Sequence, residues 1–137
     1  MRVFFDSSAL AKRYVDELGT AEVLAWCEKA TELALSVIAI PELISAFCRL
    51  RRERKLSAGQ YQRVKGELMA DIADALVCDT TPQVVARSVQ ALERHRLRAM
   101  DAIHLGAALE CEAEVFVSAD ARQRAAAKSM GLRVIAL

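Results

Sequence analysis

The chain has 137 residues, 54% of them hydrophobic, enough for one folded unit with a full core. Its 19 Lys and Arg nearly balance its 18 Asp and Glu, which excludes a uniformly basic protein and leaves any nucleic-acid contact to a local patch. No apolar run approaches the ~18 residues of a membrane span, and Asp6 interrupts the only early apolar run, so neither a span nor a signal peptide is expected.

The first predicted element is Val3-Phe4-Phe5, a short strand buried on both faces. Asp6 ends it, Ser7 and Ser8 follow, and residues Ala9 to Tyr14 read as helix. Gly19 breaks the chain, and Thr20 is expected to cap a helix running to about Lys29. Leu33 to Val37 is a second strand-like run. The helix from Ser36 to about Lys55 tolerates Pro41 in its first turn. Ser57 and Gln60 form a capping box before a helix whose apolar positions are Tyr61, Val64, Leu68 and Ile72. Leu76-Val77-Cys78 is a third strand. Thr81-Pro82 starts another helix, for which Val85, Val89 and Leu92 are the expected buried stripe. A helix from about Ala99 to Cys111, a strand at Val115-Phe116-Val117, a helix from Asp120 to Ser129 stopped by Gly131, and a last strand at Val134-Ile135 complete the chain.

Strands separated by helices imply an α/β sandwich with a mainly parallel sheet, as one domain over residues 1–137, with the first strand near the middle. The cysteines, Cys27, Cys48, Cys78 and Cys111, are far apart and form no C-x-x-C pair. They are read as reduced thiols, mostly of the core, with zinc disfavoured and a cytoplasmic location expected.

Four acids stand where such a sheet builds its sites. Asp6 ends the first strand, Glu42 lies early in the helix after the second, Asp101 lies near the start of its helix, and Asp120 follows the fourth strand. All four positions fall on the C-terminal edge of the strands. Carboxylates crowded there repel one another unless a cation sits between them. An all-oxygen donor set suits Mg²⁺ or Mn²⁺ and not zinc. Ser7, Ser8 and Ser118 stand beside them as candidate supports for water or phosphate. Such a site suits activation of water against a phosphodiester. The bland reading of each acid is a cap or helix-dipole partner; the shared edge favours a site. Asp71, Asp74, Glu110, Glu112 and Glu114 do not share that edge and read as solvated.

The segments Phe5-Asp6-Ser7-Ser8-Ala9-Leu10, Pro41-Glu42-Leu43, Arg98 to Leu105 and Ser118-Ala119-Asp120 together resemble a PIN domain, more narrowly the VapC-type toxins of toxin–antitoxin pairs. The resemblance spans nearly the whole chain. It implies a three-layer sandwich with strand order 3-2-1-4-5, and a magnesium-dependent (or manganese-dependent) endoribonuclease with Asp6, Glu42, Asp101 and Asp120 as catalytic and metal-binding acids. It further implies an RNA substrate, a small cognate antitoxin and a homodimer. Where the family often has threonine, this chain has Ser8 and Ser118.

Among other polar residues, Arg49, Arg51, Arg52, Arg54 and Lys55 crowd one helix end, as a solvated face or a phosphate track. Arg98 is placed to touch substrate or pair with an acid. His104 reads as a satisfied, partly buried histidine and not a general base; Trp26 and Tyr61 read as packing residues. Two alternatives remain: a catalytically silent interaction module, and a haloacid-dehalogenase-type phosphatase. The phosphatase needs a second aspartate two residues after Asp6, where this chain has Ser8.

Overall fold

The computed structural model describes residues 1–137. Five strands, β1 (Arg2–Phe5), β2 (Glu32–Ser36), β3 (Leu76–Cys78), β4 (Val115–Ser118) and β5 (Arg133–Ala136), form one sheet. Its order is β3-β2-β1-β4-β5, and every pair is parallel. The seven helices are α1 (Ser7–Tyr14), α2 (Thr20–Lys29), α3 (Ala39–Arg52), α4 (Ala58–Asp74), α5 (Pro82–Arg94), α6 (Ala99–Glu110) and α7 (Ala121–Ser129).

Alternation along β1 explains the layers. Val3 and Phe5 face one side, where they pack with Leu10, Leu35, Leu43, Phe47 and Leu68 beneath α1 to α4. Phe4 faces the other side and stacks on Phe116, ring centroids 5.8 Å apart, beneath α5 to α7. A central parallel strand covered on both faces must be apolar at every position, and Val3, Phe4 and Phe5 are all fully buried. Each such side chain contributes roughly 1.5–3 kcal/mol through burial. The strand that carries Asp6 is therefore firmly held.

Three expectations change. Gly19, with φ of 97°, occupies the cap position of α2; Thr20 is its first residue, and its hydroxyl donates to the Lys12 carbonyl at 2.8 Å. Helix α3 starts at Ala39, because Ser36 completes β2 and its hydroxyl accepts from the Ile38 amide. The buried side of α5 is Val84, Ser88 and Ala91, while Val85, Val89 and Leu92 are exposed. The reason is close helix packing. Ser88 lies against Gly106 of α6 and donates to the Val84 and Ala102 carbonyls, a separation that branched side chains cannot share. The capping box at Ser57 and Gln60 forms as expected.

Candidate active site

β1 delivers Asp6 to the C-terminal edge of the sheet, where its amide continues the ladder by donating to the Val117 carbonyl. Asp6 is also the N-cap of α1. Its Oδ1 accepts from the Ala9 amide and the Ser8 hydroxyl, both at 2.8 Å, and its Oδ2 accepts from the Ser118 hydroxyl at 2.5 Å. Only 2% of the residue is exposed. Burial pushes its carboxyl above the usual range, against these three hydrogen bonds. A cap alone does not require a carboxylate this deep, since an exposed Ser serves as well, as Ser57 does.

Glu42, in the first turn of α3, reaches the same edge. Its Oε1 takes two contacts, the Ser7 hydroxyl at 2.7 Å and His104 Nε2 at 2.6 Å. The hydrogen bond from His104 holds its carboxyl below the usual range, helped by Ser7 and opposed by partial burial. With both donors on Oε1, the second oxygen stays free. His104 corrects the sequence reading in part: it is buried, not half-buried, and its Nδ1 has no partner. The expected hydroxyl supports are present, but Ser7, Ser8 and Ser118 spend themselves on Asp6 and Glu42.

Asp101 is the third residue of α6 and not its cap; that position belongs to Arg98. Asp120 caps α7, accepting from the Gln123 amide at 2.9 Å. Asp101 is pushed upward by burial first, then by repulsion from Asp120 and from Glu42, with His104 and Arg98 opposing. Asp101 therefore feels the charges of Asp120 and Glu42 across the edge. Gln123, fully buried, was not anticipated. Its Nε2 donates to the Asp101 carbonyl at 3.0 Å and its Oε1 lies 3.2 Å from the Ser118 hydroxyl. It thus joins the first turn of α6 to the end of β4.

Asp6, Glu42, Asp101 and Asp120 line one cavity of about 610 Å³, with His104 and Gln123 at its wall. No three of its acids and histidine are closed into a ready ligand cage; the acids surround an open space. The donor set nonetheless fits a hydrated hard cation. It is all carboxylate oxygen, and Asp101 and Asp120 are in no ion pair, so Arg98 and His104 offset the crowding on Asp101 only in part. Mg²⁺ keeps several of its waters and binds through one or two carboxylates, so a cage is not required.

The remaining sequence readings divide. Of the basic tract only Arg49 reaches the acidic cavity; Arg51 lies over the Tyr61 ring and Lys55 pairs with Glu53. Trp26 packs beneath Lys29 and Arg133. Asp71 is not merely solvated: it takes a two-point contact from Arg13 and the Tyr14 hydroxyl. Glu110 faces Arg87. The four cysteines are free thiols.

The sequence profile described as the PIN domain matches residues 3–129. The chain belongs to the PIN-domain family. No curated protein matches it significantly in sequence. Among solved PIN-like structures, FitAcB from Neisseria gonorrhoeae is 16% identical with a TM-score of 0.71, covering 97% of this chain and 96% of that one. VapC20 of Mycobacterium tuberculosis, described as a sarcin–ricin loop cleaving toxin, is 13% identical with a TM-score of 0.71, covering 98% and 99%. A toxin–antitoxin complex from Klebsiella pneumoniae contains a chain 20% identical, TM-score 0.69, covering 97% and 95%. At these identities the likeness is one of fold.

The crowding of acids in this PIN domain has a measurable sign. An acid raised in the fold binds its proton more tightly there than in the unfolded chain, so its charge destabilises the fold above the unfolded value and the effect fades in acid. In EDTA near pH 7, Asp101→Asn should therefore melt above the wild type. Because Asp101 is half open to water, the gain should stay below about 1 kcal/mol. The gap should close as pH falls toward about 4, and added Mg²⁺ should raise the wild type more than the variant. Melting curves in EDTA and in Mg²⁺ at two pH values check this. A variant that melts lower at pH 7 and responds equally to Mg²⁺ would remove Asp101 from the site.

Proposed function

We propose that the protein is a magnesium-dependent endoribonuclease that hydrolyses phosphodiester bonds of RNA, acting as the toxin of a type II toxin–antitoxin pair. The observation that carries this reading is the convergence of Asp6, Glu42, Asp101 and Asp120 on one open cavity at the C-terminal edge of the paired strands β1 and β4. Membership of the PIN-domain family supports it, as does the description of fold neighbours as toxins and toxin–antitoxin complexes. The proposed partners are RNA, a small antitoxin protein and a second copy of the chain, and the proposed location is the cytoplasm. One folded domain over residues 1–137 would carry the activity. No helix is long and apolar enough to cross a membrane.

Each residue has a task. Asp6 is the fixed point, locked by Ser8, Ser118 and the Ala9 amide. Glu42, which lines the cavity, is held through Oε1 by Ser7 and His104, which leaves its second oxygen without a hydrogen-bond partner. Asp101 and Asp120 form the opposite wall, and Gln123 sets their spacing. When bound, Mg²⁺ (or Mn²⁺) supplies charge neutralisation of a phosphoryl oxygen and acidification of water, which phosphodiester hydrolysis needs. Holding the RNA strand and the acids in fixed register would lower the barrier further.

Two other readings fare worse. In the phosphatase reading the second position after Asp6 must act as an acid. Here Ser8 donates to Asp6 itself and accepts from the Ala119 amide. The silent-module reading expects a missing acid, and all four are in place. The test is incubation of purified protein, free of any antitoxin, with total RNA in Mg²⁺ or EDTA, followed by mapping of new ends. Discrete new ends in Mg²⁺ alone are expected. No ends beyond those of a protein-free control would overturn the nuclease reading and leave the interaction module.

A further inference from the structure

Beside the acids lies a second cavity, of about 690 Å³, that shares Asp101 and Asp120 but is rimmed by Arg96, Arg98 and Arg122. Arg96 and Arg98 come from the segment between α5 and α6, and Arg122 from the first turn of α7. All three are exposed, and none belongs to an ion pair. Among the other arginines Arg2, Arg13, Arg63 and Arg87 face a carboxylate and others, such as Arg52 and Arg94, do not; what sets these three apart is that all of them line one cavity with Asp101 and Asp120.

The positions of these arginines do not help the fold. Arg98 occupies the N-cap of α6 and makes no side-chain cap bond, where Ser or Asp would contribute about 1 kcal/mol. Arg122 is the second residue of α7, where a cation opposes the helix dipole. The opposite wall carries two carboxylates, Asp101 and Asp120, neither in an ion pair. A pocket with cations outside any ion pair on one side and two such acids on the other is completed by a ligand that brings both signs. A polyanion accompanied by a divalent cation does so. Guanidinium forks match phosphate oxygens two at a time, which favours phosphate over a diffuse negative surface.

We propose that Arg96, Arg98 and Arg122 form a phosphate-binding rim that grips the RNA strand beside the bond to be cut. The inference rests on the ribonuclease reading and adds to it the side of the pocket along which the substrate lies, the side of α6 and α7. The tract from Arg51 to Lys55 is not part of it.

The probe is a fluorescent single-stranded RNA oligonucleotide, with binding followed by anisotropy over a KCl series in Ca²⁺, whose looser coordination holds a strand without the geometry Mg²⁺ imposes. Three proteins are compared: the wild type, the double variant Arg96→Gln with Arg122→Gln, and a control pair, Arg63→Gln with Arg87→Gln. All four positions are exposed, so folding is not at stake. The rim pair should bind more weakly and lose about 1.4 from the slope of log affinity against log salt, about 0.7 per phosphate contact. The control pair should keep the wild-type slope. In Mg²⁺ the rim pair should show a raised KM with kcat little changed, a split that a structural role would not produce. A rim pair with the wild-type slope overturns the rim even if the wild type cuts RNA. A rim-dependent slope without any cleavage in Mg²⁺ keeps the rim and overturns the nuclease. Absence of RNA binding by the wild type overturns both.

Discussion

Asp6→Asn should abolish RNA cleavage and relieve the growth arrest expected of the unaltered chain when it is expressed alone in a bacterial host. Asparagine is nearly the same size, and its amide oxygen can keep the bonds from Ala9 and Ser8. Its NH₂ then faces the Ser118 hydroxyl, which can turn to accept. Removing the charge also relieves the burial that pushes the Asp6 carboxyl upward, so the variant should fold at least as well as the wild type in EDTA. Loss of activity would then be chemical. The expected fall exceeds the roughly 10- to 100-fold that removal of an outer partner costs at a metal site. Cleavage rates and host growth curves, beside a melting curve, check the prediction. Equal arrest by both proteins would mean that any toxicity is not the work of this pocket.

Gly106→Ala is the stability counterpart. Gly106 sits in α6, one turn past Asp101, where the helix presses on α5. A Cβ there would lie 2.7 Å from the Val84 carbonyl oxygen and 2.7 Å from Ser88 Oγ. Ser88 can rotate, at the cost of its hydrogen bonds to Val84 and Ala102. The Val84 carbonyl is backbone and cannot yield without moving α5. Alanine gains about 1 kcal/mol of helix propensity, but overpacking of a tight contact costs about 1–3 kcal/mol and the disturbed hydrogen bonds add about 1 kcal/mol. A net loss of about 1–3 kcal/mol is expected, or a Tm lower by roughly 3–10 °C. Since α6 carries Asp101 and His104, cleavage should fall as well. A thermal melt unchanged or raised by the substitution would show that the two helices have room between them.

The same helix pair shows where the sequence could be read and where it could not. Val3-Phe4-Phe5 before Asp6 announces a buried strand with an acid at its end, because three bulky apolar residues in a row have no other economical place. The resemblance supplied the strand order, and the structure has it. The face of α5 was misread because periodicity weighs large residues as core. Here closeness decides, and closeness needs Ser88, Ala91 and Gly106, which carry little hydrophobic signal. Val85, Val89 and Leu92 satisfy the same helical spacing on the outer side. His104 and Gln123 were also beyond reach as site residues. Their burial depends on contacts with Glu42, 62 positions away, and with the Asp101 carbonyl, 22 positions away. Only the place of Gln123 three residues after a capping aspartate hinted at its role. The hydroxyls of Ser7, Ser8 and Ser118 were legible as neighbours of the acids, but not as their partners.

If the four acids cut RNA through a divalent cation, activity must follow the metal. The most direct measurement is cleavage of a defined RNA by the purified protein, first stripped with EDTA and then resupplied with Mg²⁺, with Asp6→Asn carried through the same steps. No cleavage in EDTA, full recovery on Mg²⁺ addition for the wild type, and no recovery for the variant are expected. Cleavage that persists undiminished in EDTA, or equal recovery by Asp6→Asn, would contradict cleavage by these acids through a cation.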